Sequence, residues 1–310
     1  MNINDKIAVL LCTYNGEKYL KEQIDSIINQ TYKNWVIYVS DDGSTDGTIA
    51  ILEEYQRKLG EGRLHITHGP RKGFAWNFIS SLQSNGSDCN YFAFCDQDDI
   101  WYDDKLERGV RYLASFSEFN KPAVYCGRTQ LIDGDGHPIG FSPLFEYTPS
   151  FCNALVQSIA GGNTMILNHQ ARELVSQTPC YDEIISHDWW IYILVSGCNG
   201  HIYYDPHPAI LYRQHGQNII GSNISMTARL LRIRKLMDGK FKNWNQKNID
   251  LLMSLNEYLT PDSKIKLGNF IRLRSACLVD RLRVFCLLKP YRQTTLGNIA
   301  LFMAVLLKKL

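Results

Sequence analysis

The sequence predicts an α/β protein whose mostly parallel β-sheet is flanked by helices, followed by a basic helical extension. Short apolar and β-branched runs alternate with helical patterns over the first half of the chain, as they do in βαβ units. Residues 1–222 contain 16 basic and 26 acidic side chains, a net charge of −10, whereas residues 223–310 contain 17 and 5, a net charge of +12. The pattern beyond residue 223 is helical throughout. We therefore predict two domains, 1–222 and 223–310.

The first half of the chain provides four predicted strands with helices between them. Strands are predicted at 7–12, 35–39, 64–67 and 91–95, and Leu20, Ile24 and Ile27 recur at helical spacing after the first strand. Further helices are predicted at 45–59, where the turn that starts at Asp42 can act as a cap, and at 74–82. The strand at 91–95 is apolar throughout, so we expect it at the centre of the sheet.

The alternation loosens after residue 100. Asp103 is predicted to cap a helix that ends near residue 116, and residues 124–132 are predicted to form one strand that leads into the tight turn Asp133-Gly-Asp-Gly. Shorter strands are expected at 164–167, 202–204 and 210–212, and a helix at 188–195. Interruptions near Pro261 and Pro290 divide the C-terminal helices.

Composition also indicates where the protein works. The nine cysteines are an odd number without a CxxC pair, which favours reduced thiols in the cytosol. We expect no secretion signal, because the apolar run at 7–12 is too short, and no spanning helix, because no run reaches about 18 apolar residues. The basic segment 223–310 suits an anionic membrane surface, a nucleic acid or an acidic partner, and a solvated helical face packed on the body is the alternative.

Polar clusters follow three of the predicted strands. They lie at Cys12 to Gly16, Ser40 to Gly43 and Asp96 to Asp99. In open α/β sheets, ligands bind at the carboxyl ends of the strands, so parallel strands would bring all three clusters to one edge. That edge is the predicted ligand site.

The cluster at 96–99 is the candidate metal site. Asp96 and Asp98 can direct carboxylate oxygens at one Mg²⁺ or Mn²⁺ ion, which would bridge to phosphate oxygens and neutralise a departing diphosphate. Helix capping by ordinary surface acids is the alternative. An aspartyl phosphatase motif would continue with Thr or Val, where this chain has Asp99-Ile100. A calcium loop that begins at Asp42 matches the EF-hand spacing, but it follows a predicted strand where a helix is required.

Two later segments offer a general base and further ligands. Asp188 precedes the aromatic pair Trp189-Trp190, where exclusion of water would shift the pKa of its carboxylate toward a value useful for a base. In the alternative, Asp188 caps a helix and the tryptophans enter the core. The segment 212–218, which includes Arg213 and His215, is rich in donors suited to phosphate or sugar hydroxyls.

Taken together, these motifs resemble those of the family 2 inverting glycosyltransferases over residues 5–220. The segments that carry the resemblance are Thr13 to Gly16, Gln30-Thr31, Asp41 to Asp46, Asp96 to Asp99, Gly161-Gly162-Asn163 and His187-Asp188-Trp189. The resemblance implies a nucleotide-diphospho-sugar-binding sheet of the GT-A type. It makes 1–222 the catalytic domain. The net charge of +12 and the helical pattern predict that 223–310 is a helical basic extension suited to membrane association.

The resemblance also implies roles for individual residues. Asp188 matches the catalytic base, and Asp98 and Asp96 match the metal-binding pair, with Mn²⁺ or Mg²⁺ as the ion. The residues implied in binding the nucleotide-sugar are Thr13, Tyr14, Asn15, Glu17, Asp41, Asp42, Asp96, Gln97, Gly162, Asn163 and Trp189, with Arg213 and His215 assisting the departing diphosphate. Arg71 lies in a segment that departs from the family's usual basic, Asn-rich pattern, so no phosphate contact is carried over to it.

Three sequence motifs are similar to those of bacterial rhamnosyltransferases of surface polysaccharide (O-antigen) synthesis: Asp-Gln-Asp-Asp-Ile-Trp, His-Asp-Trp and Tyr-Arg-Gln-His. This implies metal-dependent transfer from dTDP-rhamnose to a glycan or lipid-linked acceptor, without a nucleic-acid partner. The basic segment 223–310 and the apolar run 299–307 predict a cytoplasmic enzyme held peripherally on the inner face of the membrane. Two alternatives are a catalytically idle nucleotide-sugar-binding module and a nucleotidyltransferase. The latter should have a Gly-rich basic phosphate loop, which residues 13–16 lack.

Overall fold

The computed structural model describes residues 5–116, 118, 120–180, 184–215 and 239–310. Its strands are β1 (Ile7–Thr13), β2 (Trp35–Asp41), β3 (Leu64–His68), β4 (Tyr91–Cys95), β5 (Ile100–Trp101), β6 (Ala123–Gly127), β7 (Gln130–Ile132), β8 (Pro138–Phe141), β9 (Ile166–Asn168), β10 (His201–Asp205) and β11 (Ile210–Arg213). Its helices are α1 (Leu20–Ile28), α2 (Thr48–Leu59), α3 (Phe74–Ser84), α4 (Lys105–Ser115), α5 (Phe151–Ala154), α6 (His169–Ser176), α7 (His187–Gly197), α8 (Lys240–Ser254), α9 (Pro261–Ser275), α10 (Leu278–Leu288) and α11 (Thr295–Leu306).

The main sheet has seven strands in the order β10-β6-β9-β4-β1-β2-β3. Neighbouring strands are parallel, except that β9 runs antiparallel to both β4 and β6. The predicted α/β class, the mostly parallel sheet and the central position of β4 are confirmed. Because β1 pairs with β2 on one side and β4 on the other, the carboxyl ends of these three strands lie side by side. The three polar clusters therefore share one edge, as predicted.

Residues 124–132 do not form one strand, contrary to the prediction. β6 belongs to the main sheet, whereas β7 belongs to a second sheet of order β5-β11-β7-β8. Arg128 and Thr129 make the crossing, and both bind Ser142: the Arg128 Nε donates to the Ser142 carbonyl at 2.8 Å, and the Thr129 amide to its hydroxyl at 3.0 Å. Both halves of the segment are apolar, so the change of partner leaves no trace in the local pattern.

Two helix starts also differ from the prediction. α2 begins at Thr48, not at residue 45, because side chains of the first loop bind the backbone amides of Thr45 and Gly47 and hold them in a turn. α4 has Asp104 at its N-cap, not Asp103, and that cap makes no side-chain hydrogen bond. The predicted tight turn at 133–136 is present, and it joins β7 to β8, a strand that was not predicted.

Two buried hydrophobic clusters cover the two faces of the main sheet. One lies beneath α1, α2 and α4, and the other beneath α3, α6 and α7. The C-terminal helices α8–α11 join the second cluster through Leu252, Phe270 and Leu301, among others. The described part of the predicted extension is therefore helical, and its inner face packs on the body of the protein. The predicted boundary at 222/223 lies outside the described residues. Across the described ranges, no helix combines the length and the apolar character needed to cross a membrane.

Candidate active site

The loop after β1 is held by the turn after β2. The Asn15 side chain accepts a hydrogen bond from the Thr45 amide at 2.8 Å, and the Glu17 carboxylate accepts one from the Gly47 amide at 2.9 Å. Asn15 has φ of 49°, a left-handed conformation that asparagine tolerates. Asn15 and Glu17 thus shape the loop, and the Tyr14 ring is left 59% exposed at the sheet edge, where a planar base could stack on it.

Asp41 is a buried carboxylate that organises the second cluster. It accepts hydrogen bonds from the Thr13 hydroxyl at 2.8 Å, the Ser44 amide at 2.8 Å and the Ser44 hydroxyl at 2.5 Å. Burial favours the neutral acid, but these hydrogen bonds outweigh it and lower the pKa of Asp41. Thr13 and Asp41 are therefore engaged with each other, at the base of the site.

Asp42 fixes the segment that follows β3. Its two carboxylate oxygens accept hydrogen bonds from the backbone amides of Arg71 at 2.6 Å and Gly73 at 3.2 Å. The Arg71 side chain extends beside Gly43, where an added Cβ would lie 3.1 Å from the Arg71 Nε. The structure thus places the guanidinium of Arg71 at the edge of the sheet that carries the polar clusters, although the sequence resemblance assigned no phosphate contact to this residue. The EF-hand alternative is excluded, because strand β2 directly precedes this loop.

Gln97 ties the first cluster to the third. Its side-chain oxygen accepts a hydrogen bond from the Tyr14 amide at 2.8 Å, and its side-chain nitrogen donates to the Tyr14 carbonyl at 3.0 Å. A Cβ at position 16 would overlap the Gln97 amide, so Gly16 allows this close approach. Gln97 therefore positions Tyr14.

The three acids of the cluster at 96–99 have different surroundings. Asp99 is fully buried and accepts hydrogen bonds from the Asn163 side chain at 2.5 Å and the Arg213 amide at 3.2 Å. An Asp98 carboxylate oxygen lies 2.7 Å from the His215 Nε2. Within the described ranges, no side chain or amide hydrogen-bonds to the Asp96 carboxylate. Asp96 is therefore the acid of this cluster left for a ligand.

Asp96 and Asp188 come from distant parts of the chain and meet in the site. Burial, the Asp98 charge and the Asp188 charge raise the pKa of Asp96 to about 7. Asp188 lies in the first turn of α7, where burial also raises its pKa and where it accepts a hydrogen bond from the Trp189 amide at 2.7 Å. The N-cap of α7 is Ser186, so the carboxylate of Asp188 does not occupy the cap position. Concentrated negative charge at a sheet edge suits a cation and a phosphate-bearing ligand.

The raised pKa of Asp96 predicts a stability effect that depends on pH. The folded protein keeps a proton up to about pH 7 that the unfolded chain releases near pH 4, so the free energy of unfolding should fall as the pH rises between these values. Replacing Asp96 with Asn removes this penalty. In metal-free buffer, we expect Asp96→Asn to melt at a higher temperature than the wild type at pH 8 and to do so by a clearly smaller margin at pH 5.

Asp88 provides a control of opposite sign. Its hydrogen bond with Lys6 lowers the pKa of Asp88, so Asp88→Asn should not raise the melting temperature at pH 8. Differential scanning fluorimetry at both pH values measures the two variants. An Asp96→Asn shift of equal size at pH 5 and pH 8 would contradict the assigned pKa.

A buried lysine, missed by the sequence analysis, lies beside the acids. Lys105 is fully buried, and its Nζ donates a hydrogen bond to the Asn163 carbonyl at 2.6 Å and lies 3.3 Å from the centre of the Trp101 ring. Burial lowers the pKa of Lys105 to about 7, although the nearby Cys95, Asp99 and Asp96 act in the opposite direction. A lysine in the first turn of a helix is usually solvated, so no local signal distinguishes this one.

The turn Gly162–Thr164 connects the acid cluster to α7. Asn163 binds Asp99, and a Cβ at Gly162 would overlap the His187 ring. That ring is buried and stacks on Phe78, with 4.2 Å between ring centres, and burial lowers the pKa of His187 to about 3. His187 is therefore a neutral packing residue, and Gly162 is the residue that allows this turn to approach the helix of Asp188.

Arg213 and Trp189, both predicted to bind the donor, lie inside the protein. Arg213 is 1% exposed, and its guanidinium donates to the Glu22 carboxylate at 2.6 Å and the Asp98 carbonyl at 3.0 Å. Trp189 is buried and stacks on Phe241 of α8. Trp190 is buried as well, so both tryptophans enter the core, although Asp188 does not cap the helix as that alternative had it. Arg213 positions the loop of Asp98, and Trp189 anchors the helix of Asp188.

A second acidic group lies on the turn between β7 and β8. Among the described residues, Asp133, Asp135 and His137 bring ligand atoms within 4.8 Å of one another. Asp133, however, already accepts hydrogen bonds from the amides of Asp135 and His137, each at 2.9 Å. These bonds account for the cluster as turn geometry.

Comparison with known proteins identifies the family. The model of Glycosyl transferase family 2 matches residues 8–171, which include β2, β4, the acid cluster and all of β1 except Ile7. The chain belongs to glycosyltransferase family 2. Over 231 residues, this glycosyltransferase is 32% identical to the dTDP-rhamnosyl transferase RfbG of Shigella flexneri, an alignment that spans 72% of the chain and 78% of the relative.

Solved structures share the fold of this glycosyltransferase. Staphylococcus aureus TarS 1-349 in complex with UDP-GlcNAc superposes with a TM-score of 0.55 at 16% identity, covering 98% of this chain and 89% of that one. GalNAc-T7 with UDP, GalNAc and Mn²⁺ superposes with a TM-score of 0.52 at 13% identity, covering 73% and 46%. These likenesses confirm the predicted GT-A-like fold with helices at the C-terminus. In this glycosyltransferase, the edge of the sheet brings together Tyr14, Asp42, Asp96, Asp98 and Asp188.

Proposed function

We propose that this glycosyltransferase transfers rhamnose from dTDP-rhamnose, with inversion, to a glycan or lipid-linked acceptor in bacterial surface polysaccharide (O-antigen) synthesis. The observation that carries the proposal is that Asp188 lies close enough to Asp96, at the carboxyl end of β4, for its charge to raise the pKa of Asp96, so that one site holds an acid for the donor and a base for the acceptor. The identity to a dTDP-rhamnosyl transferase supports the choice of donor. The idle-module alternative does not explain why both acids are present close to one another.

Inversion follows from a single displacement at the anomeric carbon. The acceptor oxygen forms the new glycosidic bond while the bond from the anomeric carbon to the diphosphate oxygen breaks. Asp188 takes the proton of the acceptor hydroxyl, and the electron pair of the broken bond leaves with the nucleoside diphosphate. Burial, which raises the pKa of Asp188, makes it a stronger base than a solvated carboxylate, although it must be ionised to act. Tyr14 offers its exposed ring to the base of the donor.

The residues present fit a divalent cation. Asp96 has a carboxylate without a protein hydrogen-bond partner in the described ranges, and His215 orients the Asp98 carboxylate from 2.7 Å. Oxygen donors with one imidazole nearby suit Mn²⁺ or Mg²⁺. When bound, such an ion neutralises charge on the departing diphosphate. The presence of Mn²⁺ in the GalNAc-T7 structure supports this proposal.

The acceptor is proposed to be held at the cytoplasmic face of the membrane, with the enzyme bound there peripherally. The net charge of +12 over residues 223–310 supports this placement, because anionic lipids attract clustered lysine and arginine. The lack of a Gly-rich basic loop after β1 argues against a nucleotidyltransferase. No nucleic-acid partner is proposed.

A donor screen tests the proposed reaction. In the presence of Mn²⁺, we expect dTDP-rhamnose to raise the melting temperature more than UDP-GlcNAc or GDP-mannose, since a ligand at 100 times its Kd stabilises by about 2.7 kcal/mol. Transfer to an acceptor should need the cation and give a product of the opposite anomeric configuration by NMR. Stabilisation by another donor would remove the rhamnose assignment, and a product with retained configuration would remove Asp188 as the base for a single displacement.

A further inference from the structure

We propose that helices α10 and α11 together form a bilayer-binding face that lies on an anionic membrane surface. The face consists of the exposed side chains Leu278, Val279, Leu287, Leu296, Ile299, Phe302, Met303 and Leu307. The inference deepens the proposed binding of a membrane-held acceptor, on which it rests. The proposed function attributes membrane binding to the net charge of residues 223–310, whereas here the contact is assigned to one defined surface.

The apolar side chains form a stripe on each helix. Val279 and Leu287 of α10 are 72% and 68% exposed and lie two turns apart, while Leu296 of α11 is 68% exposed. Along α11, the exposed positions 296, 299, 303 and 307 recur at spacings of three and four, which places them on one side of the helix. Burying such side chains is favourable, so an exposed stripe of this size indicates a contact surface.

The two helices are packed together, which joins the stripes. The Phe285 and Phe302 rings lie 5.7 Å apart. The buried guanidinium of Arg281 donates hydrogen bonds to the carbonyls of Val305 at 2.6 Å and Leu306 at 3.1 Å, so it links α10 to the C-terminal end of α11. The two stripes therefore belong to one surface.

Unpaired cations border this surface. Residues 278–310 contain six basic side chains and one acidic side chain, Asp280, which is bound to Arg272 at 2.6 Å. Arg283, Lys289 and Lys308 are exposed, and none of the three forms an ion pair within the described ranges. An apolar surface with lysine and arginine at its border matches the acyl and anionic headgroup layers of a bilayer.

The same charges argue against a second copy of the chain as the occupant. A two-fold contact would set the face against itself and bring like charges together. A bilayer of anionic lipids offers the opposite charge instead. The observations therefore favour a lipid surface.

The bilayer-binding face is also connected to the active site. Between α10 and α11, the Tyr291 carbonyl accepts a hydrogen bond from the Asn153 side chain at 2.8 Å, and the Gln293 amide donates to the Gln157 side chain at 2.8 Å. Asn153 lies in α5, which packs on α7, the helix of Asp188. Membrane binding through this face would thus set the orientation of the catalytic base relative to the lipid surface.

Vesicle sedimentation with the full chain tests the proposal. We expect binding to phosphatidylcholine vesicles that contain 30% phosphatidylglycerol, and weaker binding in high salt. The double variant Leu287→Gln with Leu296→Gln should weaken binding at least about tenfold. Lys289→Asn with Lys308→Asn should weaken it by about 20- to 30-fold. Asn suits these two positions, because both have left-handed backbones with φ of 48° and 58°.

A matched control removes the same charge elsewhere. Arg57→Asn with Lys58→Asn acts on α2, whose buried side chains lie on the opposite face of the sheet, and should bind vesicles like the wild type. Loss of binding in this control equal to that in Lys289→Asn with Lys308→Asn would overturn the proposal in favour of general attraction. A dimer in light scattering that both face variants dissociate would overturn it in favour of a second copy.

A fluorescent label separates insertion from adsorption. Cys286, on the exposed side of α10, is labelled with an environment-sensitive dye in a background with Cys180→Ser and Cys277→Ser. A blue shift with anionic vesicles supports the bilayer-binding face, whereas no shift overturns it. Transfer to a water-soluble acceptor analogue is measured in parallel. If the face variants lose vesicle binding but keep this transfer, the surface and the reaction have been tested independently.

Discussion

Replacing Asp188 with Asn is expected to lower the rate of sugar transfer at least about 100-fold, the usual scale for the loss of a general base. The amide has nearly the same shape as the carboxylate but cannot take a proton from the acceptor hydroxyl. Asp188 makes no hydrogen bond to the loop of Tyr14 within the described ranges, so nucleotide binding should survive. Initial rates with donor and acceptor, together with calorimetric titration of the nucleotide, measure both effects.

The matched control for this variant is Asp135→Asn. Asp135 is exposed on the turn between β7 and β8, outside the site, so its replacement should leave transfer unchanged. If Asp188→Asn transfers sugar as fast as the wild type, Asp188 is not the base. If the variant loses nucleotide binding as well, the Asp188 carboxylate of the wild type helps to bind the donor.

Replacing Lys105 with Met is expected to lower the free energy of unfolding by about 3 kcal/mol, the lower end of the cost of breaking a buried ionic contact. The change leaves the Asn163 carbonyl without its donor and removes the cation beside Asp99 and Asp96. We choose the lower end because burial lowers the pKa of Lys105 to about 7, so that the amine is only partly charged at neutral pH. Urea denaturation at pH 7 measures the loss.

An exposed lysine provides the comparison. Lys21 pairs with Glu54 at 3.3 Å on the surface, with both side chains more than half exposed, so Lys21→Met should cost less than about 1 kcal/mol. Equal stabilities for the two variants would show that Lys105 contributes packing alone. Because Asn163 lies on the turn beside α7, the Lys105 variant should also reduce transfer where the Lys21 variant does not.

Much of the site could be predicted from the sequence because its acids follow strands. The position of a residue at the end of a parallel strand determines which edge of the sheet it joins, and this places Asp42, Asp96 and Asp98 together without further information. The sequence could not tell which of these side chains are free for a ligand. That depends on partners far along the chain, such as the Arg71 amide for Asp42 and His215 for Asp98.

Arg213 illustrates the difference most clearly. Its residue type and its neighbours predicted a contact with phosphate, yet its guanidinium is bound to Glu22, which lies 191 positions earlier. Trp189, an aromatic residue next to Asp188, was likewise predicted to bind the nucleotide-sugar, but it packs against a helix of the C-terminal extension. In both cases, the residue type suits the predicted contact with a ligand, but the side chain points into the protein.

The sequence alone thus determined the alternation of strands and helices, the edge that carries the acids and the helical, basic character of the C-terminal part. These follow from periodicity and strand ends, which depend on residues a few positions apart. The tertiary structure decided the split of 124–132 between two sheets, the burial of Lys105 and the inward direction of Arg213. Each of these depends on contacts between segments far apart in the chain. Such contacts are determined by how the strands pair and cross, so they do not appear in the local periodicity of the sequence.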